Sequence, residues 1–184
     1  MHDLEKVYTD QEIRYFSRDY AKIPLTFLNT GDIPAGKVIG IRNDGYGERV
    51  RRTTLTAQAA AAATTLVVED AALFKVGDTI SIMNADLTGI EELGTVTAIN
   101  AADKELTVAT AVTAVHAVGS YVYASDGSEK AVGLLADPVI DEGEAVIANI
   151  YLEGHFSTML LSGLDDIAKQ DLRAREVAGI TIIP

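Results

Sequence analysis

Three histidines, four pairs of adjacent carboxylates and a Thr-rich interior stretch are the parts of this 184-residue chain that could do chemistry. His2, His116 and His155 stand far apart, and none has the i, i+4 spacing that sets two imidazoles on one helix face for zinc. With no cysteine there is no thiolate ligand, no thiol nucleophile and no disulfide. Neither Gly-x-Ser-x-Gly nor a Gly-rich loop ending in Lys-Ser or Lys-Thr occurs, so the hydrolase elbow and the phosphate loop are both missing. The acidic pairs are Glu69-Asp70, Glu91-Glu92, Asp141-Glu142 and Asp165-Asp166. Glycoside hydrolysis needs two carboxylates about 5 to 9.5 Å apart across a cleft. Neighbours in turns or at a helix start are ordinarily solvated or favoured by the helix dipole. Asp126-Gly-Ser128 lacks the further acidic ligands of a calcium loop. The expectation is therefore no enzyme, no cofactor and no metal, with a carboxylate-dependent glycosidase as the enzymatic alternative.

Composition narrows the partners. Hydrophobic residues make up 48% of the chain, enough for real cores in one ordinary domain or two small ones. A formal net charge of −12 repels phosphate backbones, so nucleic acid is not an expected partner. No apolar run reaches the roughly 18 residues needed to cross a bilayer, and the charged start Met1-His-Asp-Leu-Glu-Lys6 does not read as a signal peptide. A soluble protein without a membrane partner is expected.

The elements that must position any site change character along the chain. Of the 7 Tyr and 4 Phe, Tyr8, Tyr15, Phe16, Tyr20 and Phe27 all precede Thr30, a crowding suited to docking on another chain or to capping the subunit's own core. Thr9-Asp-Gln-Glu12 has capping-box form and opens a short helix over Gln11–Tyr20. Ile23-Pro-Leu-Thr-Phe-Leu28 alternates as an edge-type strand containing Ile23, Leu25 and Phe27 on one face, with Pro24 unable to donate. Turn chemistry at Asn29–Gly36 precedes the strand Lys37–Ile41, and Asn43–Gly47 forms a second turn. Arg49, Arg51 and Arg52 follow it, either as assembly contacts for acidic neighbours or as a solvated strand face with weak ion pairs.

From Thr53 to Ser120 the aromatics dwindle to Phe74, and strand-length runs of Val, Ile, Leu and Thr alternate with period 2. This stretch reads as an independent small β-barrel or sandwich of about five to six strands. Ala57–Ala63, without a cap or an amphipathic face, reads as a loop or a single turn despite its helix propensity. Larger apolar residues return from Tyr121, with strands near Ala131–Ala136 and Glu144–Leu152. One helix follows, capped by Ser162 or Asp165 and burying Leu164, Ile167, Ala168 and Leu172; a last strand, Ile180–Ile183, has to pair inside a sheet. The fold class is thus mainly β with one short C-terminal helix.

Four pieces in order, Ile33–Ile41, Tyr121–Leu135, Ile150–Phe156 and Ala178–Ile183, resemble the lambda-type phage head decoration protein family over roughly half the chain. The resemblance implies a small β-barrel or β-tulip-like decoration domain over residues 31–52 plus 121–184, an N-terminal capsid-binding arm over 1–30, and an inserted β domain over 53–120. It implies a homotrimer on the outer surface of an expanded icosahedral head, made in the host cytoplasm and carried on the virion. There it would bind the major capsid protein and stabilise the shell against packaged DNA. The arm residues Tyr8, Tyr15, Phe16, Tyr20, Ile23, Leu25 and Phe27 would carry that contact, with Ile23–Leu28 as a strand added to the capsid protein's sheet. The family has a short connection where this chain has residues 53–120, and the Thr-rich faces of that insert make a glycan- or host-surface-binding adhesin the alternative reading.

Overall fold

The computed structural model describes residues 21–173 and 180–183. Its strands run in chain order β1 (Lys22–Phe27), β2 (Val38–Ile41), β3 (Gly47–Arg49), β4 (Arg52–Thr54), β5 (Thr65–Val67), β6 (Thr79–Met83), β7 (Glu91–Asn100), β8 (Glu105–Val108) and β9 (Tyr121–Ala124). After these come β10 (Gly133–Leu135), β11 (Val146–Tyr151), β12 (Gly154–Ser157), the helix α1 (Asp166–Arg173) and β13 (Ile180–Ile183). Among the described residues the fold is mainly β with one short helix near the C-terminus, and the chain divides into two compact units. One is assembled from the residues before Arg51 and after Glu129; the other is Arg51–Glu129.

In the split unit, β1, β11, β10, β2 and β3 close into a barrel. Consecutive apolar residues serve its two faces, because successive side chains of a strand point opposite ways. Ile39, Leu135 and Ile150 fill the interior with Phe27, Ile33, Val139 and Ala148. Their neighbours Val38, Leu134 and Tyr151 face outward into a second cluster with Phe156, Ala168 and Leu172, so α1 covers one outer flank of the barrel. Asp165 caps the helix, its side chain accepting the Ala168 N–H at 2.6 Å, and Ala168 and Leu172 are the buried positions. Two glycines permit close approaches. A Cβ on Gly133 would collide with the Tyr151 carbonyl oxygen, and Gly36, at φ +79°, faces the Leu160 carbonyl oxygen in the same way. β12 and β13 pair in parallel, joined by the connection that carries α1.

The inserted unit is a six-stranded sheet in the order β4-β9-β6-β7-β8-β5. Its two outer strands meet: Thr56 N–H donates to the Val67 carbonyl at 2.9 Å and Glu69 N–H to the Thr54 carbonyl at 2.8 Å, which curls the sheet back on itself. Long β7 serves both neighbours through register shifts at Ile80/Ser81 and Val96/Ala98, and bulges of this kind bend a strand enough to follow a curved wall. The interior is aliphatic, with Leu55, Leu66, Val68, Ile80, Ile82, Leu93, Val96, Leu106, Val108 and Val122 around Phe74. Ala57–Ala63 is indeed loop. The sequence boundaries shift, however. β9 pairs with β4 and β6, so Tyr121–Glu129 belongs to the insert and not, as expected, to the outer domain. Strand alternation alone could not reveal this, because Tyr121-Val-Tyr-Ala124 suits either sheet.

Candidate functional site

Tyr8, Tyr15, Phe16 and Tyr20 lie outside the described residues, whereas Ile23, Leu25 and Phe27 are found in β1. All six residues of β1 pair with β11, from Lys22–Tyr151 to Phe27–Val146. Leu152 N–H donates to the Ala21 carbonyl at 2.8 Å, which sets the ladder phase: Ile23, Leu25 and Phe27 exchange bonds with β11, and Pro24 turns its imide nitrogen to the other edge. The missing donor therefore costs this ladder nothing. Phe27 is fully buried and also pairs with Gly47 of β3, where a Cβ would strike the Phe27 ring. The expectation that Ile23–Leu28 is a free strand for a capsid partner is thus corrected: it is a wall of the chain's own barrel. An arm has to end before Lys22, not at residue 30.

Of the three arginines expected at assembly contacts, Arg51 and Arg52 turn inward and Arg49 is half-buried. Arg51 is buried; Nε donates to the Leu73 carbonyl at 2.9 Å, Nη1 to Asp126 Oδ2 at 3.0 Å, and Nη2 to Asp78. Its guanidinium also sits 5.8 Å from the Phe74 ring centre. Arg52, buried too, donates to the Glu129 carbonyl at 2.8 Å. Arg49 donates to the Thr30 carbonyl and lies 3.4 Å from Glu48. A guanidinium presents five donors in a rigid fork, so two of these side chains tie loops together inside the insert and the third does so in the split barrel.

Each acidic pair has at least one member engaged. Glu69 accepts from the Thr54 hydroxyl at 3.1 Å, Asp70 caps the turn Ala71–Leu73, and Asp141 accepts the N–H of Gly31 at 2.6 Å and of Gly143 at 2.9 Å. Among the described residues no group of three His, Asp or Glu side chains could hold a metal ion. No described helix is long and apolar enough to cross a membrane.

His116 is where sequence reasoning missed an arrangement. It is 1% exposed, with Nδ1 2.9 Å from Asn84 Oδ1 and Nε2 3.1 Å from Glu91 Oε1. The Glu91 carboxylate also accepts the backbone N–H groups of Thr113 at 2.6 Å and Ala114 at 2.9 Å. Partial burial opposes its ionisation, but these donors and the imidazole outweigh that and hold its pKa down to about 2. Ala59 and His116 add a reciprocal backbone pair at 2.9 and 3.0 Å. One clamp thus fixes three loops, 55–64, 84–90 and 109–120, at one end of the insert. Glu91, at the start of β7, and Asn84, in a loop, lie 25 and 32 residues from His116, so no spacing signal announces them.

No family model, curated protein or solved structure matches the chain. An open hollow beside α1 is lined by Asp166, Lys169, Gln170 and Arg173, and exposed apolar side chains offer further contact points. The split barrel exposes Ile140, Ile147 and Met159, and the insert exposes Val76, Leu87, Ile90, Val115 and Val118.

Proposed function

We propose that the chain is a structural phage head protein, binding as a trimer to the outer surface of the expanded shell and stabilising it against the pressure of packaged DNA. One observation carries this reading. Val38–Ile41, Gly133–Leu135, Ile150–Phe156 and Ile180–Ile183, drawn from the four stretches of the decoration-protein resemblance, occur in that order within one unit, and a second unit is inserted after the first of them. Tyr121–Ala124, the first half of the second stretch, lies in the insert and takes no part in this support.

The physical requirements of a cement protein agree with it. Each subunit of a shell makes small contacts, and closed symmetry multiplies them, so such a protein needs exposed apolar contact points and an attachment segment. Ile140, Ile147 and Met159 provide the former. With β1 committed to the barrel, the attachment segment is residues 1–20, whose Tyr8, Tyr15, Phe16 and Tyr20 are the anchors.

Co-sedimentation with expanded heads tests this. The full chain is expected to pellet with the heads, and a chain lacking residues 1–20 to remain folded in the supernatant. Equal pelleting of the shortened chain overturns the attachment segment; a full chain that never pellets overturns the reading as a whole.

A further inference from the structure

We propose that the loop end of the inserted unit, built by residues 55–64, 84–90 and 109–120, is a contact between copies of this chain. Strand register gathers these loops at one end, since Tyr121 pairs with both Thr54 and Met83. The chain enters and leaves the unit at the other end, where Arg52 pairs with Tyr123 and donates to the Glu129 carbonyl.

The loop end combines exposure with rigidity. Leu87 is 41% exposed, Ile90 63%, Val115 56% and Val118 61%. Large apolar side chains so exposed on mobile loops would bind only after the loop backbone was ordered, a cost that weakens association. Here the backbone that bears them is already fixed by the Asn84–His116–Glu91 clamp and by Ala62 N–H donating to the Val112 carbonyl at 2.7 Å.

Charge selects the occupant. Within the three loops Asp86 and His116 are the only ionisable side chains, and His116 is buried, in a chain of net charge −12. A charged partner finds almost nothing here to complement it, so the surface that fits is apolar and nearly neutral. A second copy of the same loop end meets that requirement. The rest of the chain carries nearly all of its 27 acidic and 15 basic residues, so contacts made there bring like charges together more often than contacts at this end. An isologous two-fold contact sets the same apolar residues against each other. This contact is separate from head binding, and either can fail alone.

Sedimentation velocity and light scattering of the full chain over a dilution series provide the test. The wild type is expected to associate reversibly. Ile90→Glu and Val115→Glu each weaken association at least about tenfold by forcing a carboxylate into an apolar contact. Val118→Lys, of opposite sign, weakens it as well, while Val76→Glu, away from the loop end, leaves it unchanged. Unaltered thermal melting shows that the variants fold. A wild type of single-copy mass at every concentration overturns the proposal, as does association untouched by the loop-end variants. Capture of a glycan by a wild type that stays monomeric would assign the surface to a different occupant and overturn it equally.

Discussion

Glu91 Oε1 lies 3.1 Å from His116 Nε2, and the same carboxylate receives two backbone N–H groups from the loop that precedes the histidine. The pair therefore joins the start of β7 to the 113–118 loop from inside the fold. Because Glu91 is held at about 2 when folded against 4.5 when free, its stabilisation is complete above pH 4.5 and is lost as the pH falls toward 2. Glu91→Gln should lower stability by about 2 kcal/mol at neutral pH, the scale of hydrogen bonds to a charged group. In thermal melts the gap from wild type narrows between pH 4.5 and 2. A gap independent of pH contradicts this account of the clamp.

Arg51 reaches a carbonyl and two carboxylates in three directions. Arg51→Ala leaves Asp78 and Asp126 without their cation and is expected to cost about 3–5 kcal/mol in urea unfolding. Arg51→Lys should recover less than half of that, since one ammonium cannot reproduce the fork. Full rescue by lysine would show that charge alone matters there.

At Gly133 the constraint is space. A Cβ would run into the Tyr151 carbonyl across the β10–β11 pair, so Gly133→Ala must push apart two strands of the closed barrel. The expected cost is about 3 kcal/mol, measurable as a lower urea midpoint. An unchanged midpoint contradicts the packing of Leu134 and Leu135 described for the two cores.

Strand alternation made much of this legible. The runs Lys37–Ile41, Ala131–Ala136 and Glu144–Leu152 announced strands, and the spacing of Ala168 and Leu172 announced the covering helix; that the doublets Val38-Ile39, Leu134-Leu135 and Ile150-Tyr151 are buried on both faces is seen only in the fold. Aromatic depletion marked the insert, because a small aliphatic core leaves room for one Phe. What alternation cannot give is which sheet a strand joins. Tyr121–Ala124 was placed in the wrong unit and Ile23–Phe27 in an arm, since pairing is decided by long-range partners, β6 and β11, that no local pattern names. The arginines misled for a related reason: a surface ion pair and a buried hub look alike in sequence, and only Leu73, Asp78 and Asp126 tell them apart.

The placement of β1 also decides where the attachment segment can be cut. Removing residues 1–29 would take out a barrel strand and confound folding with binding, whereas removing 1–20 leaves every β1–β11 pair in place. Thermal melting of the shortened chain should match the full chain within a few degrees, and a large loss would mean that residues 1–20 belong to the barrel's own fold.

The central claim is met most directly by a cryo-EM map of expanded phage heads assembled in the presence of this chain. The account predicts trimeric density at the local three-fold positions of the outer surface, with the split barrel seated on the shell and residues 1–20 running against the major capsid protein. Heads that lack this density while the chain is present in the lysate would contradict it.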